Sequence, residues 1–105
     1  VIISAGWTMS AVEIENTMLK HDDVRECAVI GAPDEERGQV VKAFVVSDRE
    51  ASDAFTGELQ RFTRERLAQH EFPRIVAFVD ELPKTPAGKV NRKALRDREA
   101  AEMKP

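Results

Sequence analysis

A chain of 105 residues is one small domain, long enough for a single core and too short to enclose a deep cleft of its own. With 42% apolar and 33% charged residues it has the composition of a soluble globular protein; no apolar stretch approaches the roughly 20 residues of a membrane span, and no signal or transit segment is visible, which points to the cytoplasm. The net charge of −3 and the lack of aromatics interleaved with basic residues argue against a nucleic-acid binder.

In chain order, Val1 to Ser4 reads as the end of a strand entering Ala5-Gly6-Trp7. Ser10 and Glu13 have capping-box spacing, so a helix is expected from Ser10 to about Lys20, with Ala11, Ile14 and Met18 on one face. Val24 to Gly31 and Gln39 to Ser47 are β-rich and mostly apolar, and the polar segment from Ala32 to Gly38 separates them as a turn between antiparallel neighbours. A second helix is expected from about Asp53 to Gln69, with Phe55, Leu59, Phe62 and Leu67 inward. Ile75 to Val79 makes a further strand, and Asn91 can cap a last helix reaching about Ala101. The order βαββαβα describes an α+β domain, a small three-stranded, mainly antiparallel sheet with flanking helices.

Few residues invite chemistry. Cys27 sits in an apolar run and reads as a core residue; His21 and His70 read as structural or surface groups, and no metal site is expected. No Ser/His/Asp set or acid/base carboxylate pair emerges. Gly88-Lys89 has no glycine four residues earlier and is followed by Val90 instead of Ser or Thr, so it is not a phosphate-binding P-loop. What stands out is Pro83-Lys84-Thr85-Pro86-Ala87-Gly88-Lys89. Two prolines and a glycine place Lys89 on a stiff turn, and the segment from Lys84 to Arg98 holds six basic residues against the single acid Asp97.

Three stretches, in this order and spanning nearly the whole chain, resemble the C-terminal domain of the adenylate-forming enzymes, the superfamily of acyl-CoA and aryl-CoA synthetases, peptide-synthetase adenylation domains and beetle luciferases. They are Ser4-Ala5-Gly6-Trp7-Thr8-Met9-Ser10 with Glu13-Ile14-Glu15; Val29-Ile30-Gly31-Ala32-Pro33-Asp34 with Gly38-Gln39; and Leu82-Pro83-Lys84-Thr85-Pro86-Ala87-Gly88-Lys89-Val90 with Arg92 and Leu95. The resemblance implies a two-step ligase that joins a carboxylic acid to ATP and then passes the acyl group from the adenylate to a thiol. Lys89 matches the lysine that enters the active site for the first step, with Gly88 and Arg92 as supports of its loop. Gly6 matches the loop that faces the site in the second step, where a missing side chain lets pantetheine pass. Trp7 either lines that tunnel or anchors the turn. Thr8 departs from the pattern, since many acyl-CoA synthetases carry Arg or Lys there.

The resemblance further implies that a hinge and a large N-terminal domain, holding ATP, Mg²⁺ and the acyl pocket, precede Val1. This segment by itself is therefore expected to need no cofactor and to be inactive, its partners being its own N-terminal domain and the carboxylic acid substrate. The Lys89 context also resembles a site modified by protein acetyltransferases, and acetylation would remove the charge. An acyl- or aryl-CoA ligase is the first reading, because Arg37 to Val46 and the Ser4-Ala5-Gly6-Trp7 turn look like medium-chain acyl-CoA and benzoate-type ligases. A peptide-synthetase adenylation domain is the alternative. A stand-alone module using the basic segment on an anionic partner is the reading from another class.

Overall fold

The computed structural model describes residues 2–4, 7–36, 38–67 and 71–103. Near its start, β1 (Ile2–Ser4) pairs antiparallel with β2 (Trp7–Met9), with Ser4 opposite Trp7. The single strand expected at the N-terminus is thus half of a two-stranded ribbon, which lies against the main sheet. Ser10 then accepts a hydrogen bond from the Glu13 amide at 3.3 Å and starts α1 (Ala11–Met18) where the capping spacing puts it.

The sheet has the order β3-β4-β5, with β3 (Glu26–Asp34) antiparallel to β4 (Gly38–Val46) and β5 (Ile75–Phe78) parallel to β4. It is the three-stranded sheet of the expected α+β domain, mixed in detail: the long β3–β4 pairing is antiparallel and the short β4–β5 pairing is parallel. The reason is α2 (Asp53–Arg66), which carries the chain back along the sheet so that β5 starts at the same end as β4. The β3–β4 turn is also shorter than the sequence suggests: Ala32 and Pro33 stay in the ladder opposite Val40 and Gln39. Pro33 is tolerated because β3 is an edge strand, and Gly38 at φ 80° supplies the left-handed residue that closes the hairpin.

Residues alternate between two buried faces, which is why the strands read as continuous apolar runs. Cys27, Val29, Val41, Ala43 and Val45 face α1 and α2, meeting Ile14, Met18, Phe55 and Leu59. Ala28, Ile30, Phe44 and Val46 face the other way, meeting Leu82 and Leu95. The helix α3 (Arg92–Met103) covers that second face, capped by Asn91, whose Oδ1 accepts from the Ala94 amide at 3.0 Å. The expected end of α2 at Gln69, and His70, lie outside the described residues; Leu67 is already extended.

Cys27 is buried in the first of these cores. Burial, reinforced by the nearby Glu15 carboxylate, pushes its thiol from an ordinary 9.0 up to about 12. Since the folded value is raised, Cys27 contributes stability that is complete below pH 9.0 and is lost as the pH climbs toward about 12. At pH 8 iodoacetamide should leave native Cys27 unmodified and alkylate it once urea unfolds the chain. Equal alkylation rates with and without urea would contradict a buried thiol.

Candidate functional site

The loop before α3 grows out of the second core at both ends. Leu82 and Leu95 are buried there and Val90 packs against them. Between them the chain folds into a small hairpin: Lys84 bridges to Val90, the Thr85 amide donates to the Lys89 carbonyl at 2.7 Å, and the Gly88 amide donates to the Thr85 carbonyl at 2.8 Å. Pro86 occupies the second turn position, where its fixed φ fits, and Gly88 at φ 83° takes the left-handed position that follows. The Lys89 amide reaches the Thr85 hydroxyl at 3.3 Å, and the Asn91 amide donates to the Pro83 carbonyl at 2.8 Å. With so much of its backbone spent inside the loop, the turn is a self-braced platform.

Lys89 projects from this platform into solvent. Its basic neighbours are engaged: Lys84 pairs with Glu26, Lys93 with Asp97 at 3.1 Å, and Lys42 with Glu99 at 2.7 Å. Among the described residues no carboxylate pairs with Lys89. An ammonium on a stiff support, with no counter-ion among the described residues, can serve an anion supplied from outside.

Arg92, the first residue of α3, points back into the domain. Its Nε donates to Glu15 Oε2 at 2.7 Å and its Nη2 donates to Glu15 Oε1, a two-point grip that holds the guanidinium still more firmly in its charged form. Glu15 is 5% exposed, and its Oε2 also accepts from the Val29 amide at 2.8 Å. That amide lies on the free side of edge strand β3, so one carboxylate ties α1, β3 and α3 together. In sequence Glu15 passes as part of a polar helix surface. The signal that marks it is its place four residues after Ala11 and three before Met18, on the stripe that α1 buries.

Gly6 lies outside the described residues. Of Trp7 the structure describes the backbone, in β2. Gly88, Lys89 and Arg92 are brought together within one loop and helix start. The grouping with metal-ligand chemistry among the described residues is His21, Asp23 and Glu58. His21 Nε2 lies 2.6 Å from Glu58 Oε2, and its Nδ1 accepts from the Asp23 amide at 3.1 Å, so the proton sits on Nε2 and is donated to Glu58. Arg49 Nη1 bridges Glu58 at 3.0 Å and Asp23 at 3.2 Å. Its guanidinium already supplies the positive charge, and the cluster is a clasp between the ends of α1 and β4 and the side of α2. His21, seated against the Phe62 ring at 5.0 Å, thus has an acidic partner brought from α2 that sequence spacing could not reveal.

The pattern of the AMP-binding enzyme C-terminal domain matches residues 13–89. The chain belongs to this family. Over 101 residues it is 43% identical to an uncharacterized acyl-CoA ligase, YtcI, of Bacillus subtilis, covering 94% of this chain and 19% of that protein. It is 41% identical to the mitochondrial acyl-coenzyme A synthetase ACSM1 of Mus musculus, covering 98% of this chain and 19% of that protein. A crystal structure of an acyl-CoA synthetase from Brucella canis superimposes with a TM-score of 0.96 at 40% identity, over 99% of this chain and 20% of that one. The chain thus spans about a fifth of the length of the proteins it matches. No helix among the described residues is long and apolar enough to cross a membrane.

Proposed function

We propose that this family member works as the C-terminal domain of an acyl- or aryl-CoA ligase and that Lys89 serves its adenylation step. The observation that carries this reading is the placement of Lys89, an exposed ammonium on a self-braced turn with no described counter-ion, in a chain whose relatives are named as acyl-CoA ligases and synthetases. ATP, Mg²⁺, CoA and the carboxylic acid would bind on the larger remainder of such a ligase, and this domain would meet them across a domain interface.

In the first step a carboxylate oxygen attacks the α-phosphorus of ATP and pyrophosphate leaves. Negative charge gathers where two anions approach, and a lysine ammonium in a water-poor interface lowers that barrier. In the second step the CoA thiolate attacks the acyl carbonyl and AMP leaves, with the Ala5-Gly6-Trp7 segment replacing Lys89 at the site. A carboxylate panel in an ATP/pyrophosphate exchange assay on the full-length protein tests the ligase reading, and absence of exchange with every carboxylate would sink it. Gly6→Leu should leave exchange near wild type and lower thioester formation by about 100-fold, because a side chain would enter the path of the thiol. A second step as fast as wild type would remove the assignment of that segment.

A further inference from the structure

We propose that Arg92, acting through Glu15, is the positioning residue that aims the Lys89 loop, an inference that rests on the adenylation reading of Lys89. The loop is braced internally, but internal hydrogen bonds fix only its shape; its direction depends on how it is attached to the domain. On the side entering the loop, the attachment is Leu82 in the core and the Lys84–Glu26 pair, each partner of which is 40% exposed and worth little in solvent. On the side leaving it, Arg92 stands three residues after Lys89 and is gripped at two points by a carboxylate with a side chain only 7% exposed.

Glu15 is a firm anchor. It projects from α1, whose Ile14 and Met18 are fully buried in the first core, and it accepts the β3 edge amide of Val29. Arg92 therefore reaches from the helix on one face of the sheet to the helix on the other, around the β3 edge. The body of α3 does not need this contact, being held by Leu95 and by the Lys42–Glu99 pair, with side chains 13% and 12% exposed. What Arg92 fixes is the first turn of α3, the part continuous with Lys89. Planar two-point contact resists rotation about the helix start in a way that a single ammonium contact cannot.

The test compares half-reactions in the full-length ligase. Arg92→Met should lower kcat for ATP/pyrophosphate exchange by about 100-fold, the effect of displacing a catalytic group by around an ångström, with KM for ATP and carboxylate unchanged. Thioester formation from supplied acyl-adenylate should stay within about threefold of wild type. Arg92→Lys, keeping the charge and one contact, should recover part of the exchange rate, a loss of about tenfold remaining. Lys42→Met removes the other tie of α3; it should lower the melting temperature and leave exchange unchanged.

Exchange within about threefold of wild type in Arg92→Met, or equal losses in both half-reactions, overturns the inference. Should Arg92→Met fail to fold, Arg92→Lys decides, and unchanged exchange in that variant is the overturning result. Lys89→Ala run alongside separates the two levels. If it retains exchange the adenylation reading itself fails, whereas its loss beside a silent Arg92→Met removes only the positioning role.

Discussion

Replacing Lys89 with alanine is expected to cut carboxylate-dependent ATP/pyrophosphate exchange in the full-length protein by about 100- to 1000-fold, the usual loss when one preorganised electrostatic contact to a transition state is removed. The substitution should be clean. Lys89 is exposed, its amide and carbonyl rather than its ammonium brace the turn, and no described residue pairs with its side chain, so the fold and melting temperature should stay as they are. Thioester formation from supplied acyl-adenylate should remain near wild type, because the lysine is needed where two anions meet and that encounter ends with the first step. Lys89→Gln, which imitates acetylation by keeping length and removing charge, should lose exchange to the same degree. Exchange that persists in either variant would deny Lys89 its role.

The largest effect on stability is expected at Phe55. Phe55→Ala should destabilise the domain by about 3–5 kcal/mol, read as a lower urea midpoint at unchanged m-value. Phe55 is fully buried and stacks on Phe78 of β5 with ring centroids 5.1 Å apart; the Arg49 guanidinium lies 4.3 Å from its ring centre. Alanine would leave a hole where α2, β4 and β5 meet, at the seam that makes the parallel pair. A domain of this size has only about 5–15 kcal/mol in total, so much of it would be spent. A loss under about 1 kcal/mol would mean that the core collapses onto the gap and that Phe55 does not join these elements.

Local pattern carries a good deal of this molecule. The spacing of Ser10 and Glu13, the period-two and helical stripes, and Pro86 with Gly88 each act through the nearest few residues, so α1, the three strands of the main sheet, α2, α3 and the stiffness of the Lys89 turn follow from the chain itself, whereas β2 does not. The motifs also identify the family before any coordinate is known. What sequence could not decide are relations between distant residues. The direction of β5 depends on how α2 packs, and the length of the β3–β4 hairpin depends on β3 being an edge, which permits Pro33. His21 with Glu58, and Glu15 with Arg92, join partners 37 and 77 residues apart. A carboxylate on a helix gives the same local signal whether it faces water or a guanidinium, because its cost or benefit is set by burial and by the partner that arrives from another element. The sequence by itself determined the family and the stiff turn that carries Lys89; only the packing of α1, β3 and α3 around one buried carboxylate decided that Arg92, three residues further on, is gripped by Glu15.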